Sequence, residues 1–132
     1  RQDIEAWIKS QEVTPSKILV IDDDPAIGEL IKKSLEKKHT VISVGDARSA
    51  LNTLEQEKFN LIFLDLRLPD IDGLSLYKQI KEREKVPVIV ITGSTDADLI
   101  AKVIAEGAQF VLNKPFSAAE VQQMLNFIKV WF

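Results

Sequence analysis

Two apolar stretches of the chain end in carboxylates. Asp22 and Asp23 follow the run 18–21, and Asp65 follows the run 61–64. A charged side chain at the tip of a buried strand is costly unless it binds something. Mg²⁺ prefers oxygen ligands and commonly takes one or two carboxylates together with water or phosphate oxygens. These two acidic strand ends therefore predict a divalent-cation site.

A hydroxyl group and an ammonium group stand at the ends of two further apolar runs. Thr92 follows the run 88–91, and Lys114 comes shortly after the run 110–112. Taken singly, Thr92 is an ordinary strand-end residue and Lys114 an ordinary solvated lysine. If the strands are parallel, however, both lie at the same sheet edge as the carboxylates, where ligands of such sheets bind. A shared edge favours one functional site over scattered polar residues.

The elements that must position these side chains alternate along the chain. The first, third and fourth apolar runs lack polar alternation, as expected for strands covered by helices on both faces. The runs 41–44 and 110–112 are suited to sheet edges. Amphipathic segments lie between the runs, and the helix-start signals are Asp24, Asp46 and a capping box formed by Ser117 and Glu120. The pattern predicts an α/β doubly wound parallel sheet of five strands flanked by five helices.

Composition narrows the class of protein further. The 132 residues fit one domain, and the net charge of −3 argues against nonspecific nucleic-acid binding, which needs a basic surface. The absence of cysteine excludes disulfides and thiolate metal sites. Neither a secretory signal nor an apolar stretch of the roughly 18 residues that span a bilayer is present, so no membrane contact and a cytoplasmic location are expected. Residues 1–16 are expected to form a helical extension or linker before a domain over 17–132.

Four motifs together resemble the receiver domain of two-component (phosphorelay) response regulators, over about residue 17 to the C-terminus. They are ILVIDDDP at 18–25, LDLRLPDIDG at 64–73, VITG at 90–93 and KPF at 114–116. Each motif alone is weak, but the four in this order are specific. The resemblance implies the CheY-like, flavodoxin-like fold with strand order 2-1-3-4-5 and a cis bond between Lys114 and Pro115.

The resemblance also implies a role for each acidic residue. Asp65 would take a phosphoryl group from a phosphohistidine of a sensor histidine kinase or histidine phosphotransfer protein. Mg²⁺ would be bound directly by Asp23, Asp65 and the backbone carbonyl of Arg67, and through a water by Asp22. Thr92 and Lys114 would neutralise charge on the phosphoryl oxygens. The protein would then be a phosphoacceptor switch that catalyses only its own phosphorylation and dephosphorylation.

The implied output is a surface formed by the fourth helix, fifth strand and fifth helix. Such a face would contact an effector domain, a target protein or a second copy of the chain, without binding nucleic acid itself. In the family an aromatic residue in the fifth strand reports the switch, and Val111 stands at that position here. Phe110 is one residue away and therefore points to the opposite face. We expect a weaker or differently transmitted switch.

Other interpretations of the same residues stay open at this point. The main alternative is a non-phosphorylated pseudo-receiver that acts as a protein-interaction module. An aspartate-nucleophile phosphatase would use Asp-x-Asp, whereas Arg67 stands two residues beyond Asp65. A flavin-binding protein would need a phosphate-cradling loop after the first strand. Asp70 and Asp72 are expected to be turn residues, and His39 is expected on the surface.

Overall fold

The computed structural model describes Ile4, residues 16–93 and residues 97–131, with side chains of the last helix described up to Ile128. The predicted extension over residues 1–16 lies outside the described residues except for Ile4 and Ser16. Strands and helices alternate throughout the described part. They are β1 Lys17–Ile21, α1 Pro25–Leu35, β2 Thr40–Val44, α2 Ala47–Gln56, β3 Leu61–Asp65, α3 Gly73–Arg83, β4 Val88–Gly93, α4 Ala97–Ala105, β5 Phe110–Lys114 and α5 Ala118–Trp131.

The five strands form one parallel sheet in the order β2-β1-β3-β4-β5. This confirms the predicted doubly wound topology and places the second and fifth apolar runs at the sheet edges. Helices α1 and α5 pack on one face, and α2, α3 and α4 pack on the other. Because helices cover both faces, the apolar residues of β1, β3 and β4 are almost completely buried.

Local signals begin three helices where the sequence predicted. The Asp24 carboxylate accepts the N–H of Ala26 at 2.9 Å, and Asp46 accepts the N–H of Ser49 at 2.7 Å. At the start of α5, the Glu120 N–H donates to Ser117 Oγ and the Ser117 N–H donates to Glu120 Oε1, each at 3.2 Å. These capping bonds satisfy donors that a helix leaves without a partner in its first turn.

The expectation for His39 was wrong. Its side chain is only 8% exposed, and its Nδ1 accepts the backbone N–H of Ser16 at 3.0 Å. The Ser16 carbonyl in turn accepts the N–H of Thr40, so the chain entering β1 runs alongside the start of β2 and covers the imidazole. In the fifth strand, Phe110 lies on the α1–α5 face and Val111 on the opposite face, as expected from strand alternation.

None of the helices in the described ranges is long and apolar enough to cross a membrane.

Candidate functional site

Three carboxylates meet at the carboxyl edge of the sheet. Asp22, Asp23 and Asp65 each present an oxygen, and these oxygens lie within 4.8 Å of one another. The meeting follows from topology, because β1 and β3 are neighbours and Ile21 pairs with Leu64 directly before the acidic residues. Asp22 and Asp65 are 3% and 4% exposed, whereas Asp23 is exposed to solvent. The cluster is therefore a largely buried acidic site with one side open.

Lys114 joins the cluster from the edge strand β5. Its Nζ lies 3.0 Å from Asp22 Oδ2 and 3.1 Å from Asp65 Oδ2, so one ammonium group bridges two buried carboxylates. Burial alone would lower the pKa of Lys114. The contacts and negative charges of Asp22 and Asp65 outweigh that effect, and the pKa lies above its ordinary value. Lys114 is therefore charged at neutral pH, as charge neutralisation at this site requires.

Backbone N–H groups hold the two buried carboxylates in place. Asp22 Oδ1 accepts the N–H of Asp24 at 2.9 Å, and Asp65 Oδ1 accepts the N–H of Arg67 at 3.0 Å. Asp22 Oδ2 is buried and receives no well-directed hydrogen bond from a described residue, so its contact with Lys114 is mainly electrostatic. A buried carboxylate oxygen with unused acceptor capacity, beside two further carboxylates, suits a hard cation such as Mg²⁺.

Asp22 is the carboxylate of the cluster that is costly to ionise. Its pKa is raised to about 6, chiefly by burial and also by the Asp65 charge, although the Asp24 N–H and the Lys114 ammonium favour ionisation. A carboxylate that is harder to ionise in the folded protein destabilises the fold at neutral pH. This free-energy cost of keeping Asp22 ionised in the folded protein is consistent with a site that binds a cation.

Asp22→Asn is expected to stabilise the metal-free protein by about 1–3 kcal/mol at pH 8, because each pKa unit corresponds to about 1.4 kcal/mol. In the parent, the folded state binds more protons than the unfolded state between pH 3.8 and about 6, so its stability falls as the pH rises through that window. The gain in stability of Asp22→Asn over the parent should therefore be smaller at pH 4.5 than at pH 8. Urea unfolding with EDTA at both pH values measures this. An equal advantage at the two pH values would contradict the ionisation argument.

Thr92 lies at the same edge, near the end of β4. Its neighbour Ile91 pairs with Asp65, and Thr92 itself pairs with Asn113, one residue before Lys114. The side chain is fully buried, and its Oγ1 lies 3.3 Å from the carbonyl oxygen of Gly93. The strand register thus brings Thr92 between the acidic end of β3 and the lysine of β5.

The loop after Asp65 is closed on itself. Arg67 and Asp72 form an isolated antiparallel bridge, and the N–H of Gly73 donates to the carbonyl of Leu66 at 3.1 Å. Asp72 caps α3 by accepting the N–H of Leu74 at 2.8 Å. Arg67, the predicted carbonyl ligand, is therefore held in a tight turn directly beside Asp65, while its side chain is exposed.

Asp70 has a function that the sequence interpretation missed. It lies in a bend of the loop, as predicted for a turn residue, but its side chain also accepts the N–H of Ala47 at 2.9 Å and that of Arg48 at 3.0 Å. Both donors lie at the start of α2, a separate element of the fold. No local sequence signal marks this contact, since its partners are 22 and 23 residues away. The bond between Lys114 and Pro115 is cis, as the resemblance implied.

Comparison with known proteins agrees with this geometry. The family described as response regulator receiver domain matches residues 18–126, and the chain belongs to that family. It is similar to the transcriptional regulatory protein KdpE of Staphylococcus aureus, with 34% identity over 115 residues that cover 86% of this chain and 50% of that protein. The chain thus spans about half the length of this relative, and likewise of the alkaline phosphatase synthesis transcriptional regulatory protein PhoP of Bacillus subtilis.

Solved structures give the same fold. The receiver domain of NtrX from Brucella abortus matches with a TM-score of 0.76 and 32% identity, covering 83% of this chain and 95% of that one. The chemotaxis response regulator CheY4 of Vibrio cholerae matches with a TM-score of 0.80, covering 87% of this chain and 99% of that one. Its identity is 24%, so this likeness concerns the fold alone. The chain is a receiver domain with the CheY-like arrangement of strands and helices.

Proposed function

We propose that this receiver domain accepts a phosphoryl group on Asp65 in a Mg²⁺-dependent reaction. The observation that supports this most directly is the contact of one ammonium group, Lys114 Nζ, with both buried carboxylates of an acidic cluster. A purely structural ion pair would need one carboxylate. Three clustered carboxylates exceed the charge of one lysine, and the excess negative charge is what a divalent cation would balance.

The reaction would be an in-line transfer from a phosphohistidine. A carboxylate oxygen of Asp65 forms the new P–O bond while the P–N bond breaks, and the departing imidazole nitrogen keeps the electron pair. Bound Mg²⁺, held by Asp23, Asp65, the Arg67 carbonyl and a water on Asp22, would neutralise charge on the phosphoryl oxygens. The Lys114 ammonium would contact one phosphoryl oxygen, and the Thr92 hydroxyl would turn towards another.

Intact mass after incubation with acetyl phosphate and Mg²⁺ tests this proposal. We expect the parent to gain one phosphoryl group, because a carboxylate nucleophile with a bound cation forms an acyl phosphate. Asp65→Asn should show no gain, since an amide is not a comparable nucleophile, and EDTA should also abolish the gain.

Asp98→Asn is the matched control, because Asp98 is an exposed acid in the first turn of α4, outside the carboxylate cluster. It should be phosphorylated like the parent. Phosphorylation of Asp65→Asn at the parent level would contradict the assignment of the acceptor. Some receivers reject small donors, so a parent without mass gain would next be tested for beryllofluoride binding. If no binding appeared, phosphoacceptance would be ruled out.

The partners follow from the same chemistry. A histidine kinase or histidine phosphotransfer protein would supply the phosphoryl group, and the face of α4, β5 and α5 would contact an effector, a target or a second copy. The chain spans about half the length of its curated relatives. Contact with an effector or target, and any output that follows from that contact, is therefore also proposed. Residues 1–16 would be a linker or helical extension to the receiver domain over 17–132.

The pseudo-receiver alternative gains little from the geometry. A domain that only binds partners would not need three clustered carboxylates, two of them in contact with Lys114 and one of them, Asp22, costly to ionise. The protein would act as a switch whose only reactions are its own phosphorylation and dephosphorylation, without turnover of a metabolite.

A further inference from the structure

The N-terminus of α2 is capped in part by a residue from another part of the chain. The Asp46 side chain accepts the N–H of Ser49, and the Asp46 carbonyl accepts that of Ala50. The first two N–H groups of the helix, those of Ala47 and Arg48, both donate to Asp70. The N–H groups of Ala47, Arg48 and Ser49, which have no intrahelical partner, are therefore all bonded, two of them through Asp70.

The bond between Asp70 and α2 spans the end of β1. Asp70 lies in the loop after β3, α2 follows β2, and β1 lies between these two strands in the sheet. The loop before α2 also lies against Asp23, which follows β1, since a Cβ on Gly45 would be 3.8 Å from Cα of Asp23. Asp70 thereby connects the segment that carries Asp65 and Arg67 to the segment that packs against Asp23.

We propose that Asp70 is a positioning residue for the cation site, which fixes the spacing between the Asp23 and Asp65 carboxylates by joining the β3–α3 loop to the start of α2. The inference rests on the proposed function, because it concerns the same Mg²⁺ site. Asp70 touches neither the cluster nor Lys114 in the contacts described above. It acts through the loop in which the Arg67 N–H holds Asp65 Oδ1.

The charge of Asp70 supports this role. Its pKa lies below the ordinary value mainly because the Ala47 N–H bonds the ionised form; burial opposes this, and the Arg48 N–H lowers the pKa further. A carboxylate at a helix N-terminus is also favoured by the helix dipole. The bond is therefore present throughout the neutral pH range, in which phosphotransfer would take place.

Mg²⁺ titration by isothermal calorimetry tests the inference. Asp70→Ala should raise the Mg²⁺ dissociation constant about tenfold, the lower end of what outer-shell partners of metal ligands contribute. Phosphorylation by acetyl phosphate should return to near the parent rate at saturating Mg²⁺, because no ligand and no acceptor has been removed. A loss of structure alone would not produce this separation between affinity and maximal rate.

Two further variants separate geometry from charge and from folding. Ala47→Pro keeps the Asp70 charge but removes one donor, and proline is accepted at the first position of a helix. It should also weaken Mg²⁺ binding. Asp98→Asn removes one exposed negative charge elsewhere on the fold and should change the affinity less than twofold. If Asp70→Ala does not fold, Asp70→Asn and Ala47→Pro decide the question.

Each result bears on a different part of the inference. An unchanged dissociation constant in a folded Asp70→Ala would overturn the positioning role while leaving the proposed function intact. If Asp98→Asn lost as much affinity for Mg²⁺ as Asp70→Ala, the positioning role would also be overturned, since the change in charge alone would then explain the effect. A parent that bound no Mg²⁺ would overturn both the proposed function and this inference.

Discussion

Lys114→Ala is expected to slow phosphorylation of Asp65 by acetyl phosphate about 100-fold at saturating Mg²⁺. The Lys114 ammonium lies 3.1 Å from Asp65 Oδ2 and keeps its charge at neutral pH. It is therefore placed to neutralise the charge that spreads over the phosphoryl oxygens during transfer. Removing one preorganised donor of this kind typically costs about 10²–10³ in rate.

The same variant should not weaken Mg²⁺ binding. Lys114 contacts Asp22 and Asp65, two members of the carboxylate cluster, so its positive charge opposes a second cation there. Calorimetry should give a dissociation constant equal to or lower than that of the parent. The two residues are therefore expected to differ. Removal of Lys114 should lower the phosphorylation rate, whereas removal of Asp70 should weaken Mg²⁺ binding and leave the maximal phosphorylation rate unchanged.

Two controls define the outcome. Lys114→Arg keeps the charge on a longer, differently shaped side chain and should recover only part of the rate. Lys102→Ala removes an exposed lysine from the last turn of α4 and should behave like the parent. If Lys114→Ala were phosphorylated at the parent rate, the ammonium would only be a partner for the buried carboxylates in the resting protein.

The site could be predicted because strand direction determines which side chains meet. Four apolar runs are followed by functional side chains, those of Asp22, Asp65, Thr92 and Lys114. Once the strands are parallel, these side chains must lie at the same edge of the sheet. The helix caps at Asp24 and Asp46 could be predicted as well, since their partners lie two and three residues away. Short-range hydrogen bonds and strand periodicity are both readable from one sequence.

Long-range contacts of ordinary residues could not be predicted in this way. Asp70 stands in a sequence typical of a turn, and its bonds to Ala47 and Arg48 depend on how two loops meet in the fold. His39 follows a lysine-rich helix end, which suggested the surface, but the chain at Ser16 covers it. In both cases the tertiary arrangement of backbone N–H groups determines the role of the side chain.

Gly73→Ala should destabilise the protein by about 3 kcal/mol, because a side chain at this position has no space. A Cβ built on Gly73 would lie 2.3 Å from both Cα and O of Leu66, and real Cβ contacts essentially never fall below 3.0 Å. These are backbone atoms of the residue that follows Asp65, so they cannot move aside without shifting the loop. Thermal unfolding should show a decrease in Tm of about 10 °C.

Gly45→Ala is the matched control for this prediction. A Cβ there would have its nearest heavy atom at 3.8 Å, which is ordinary van der Waals contact. Its stability should remain within about 0.5 kcal/mol of the parent. Because the Gly73 N–H also bonds the Leu66 carbonyl, displacement of this loop should move Arg67 and weaken Mg²⁺ binding together with stability. A Gly73→Ala protein as stable as the parent would show that the loop after Asp65 yields more easily than its close packing indicates.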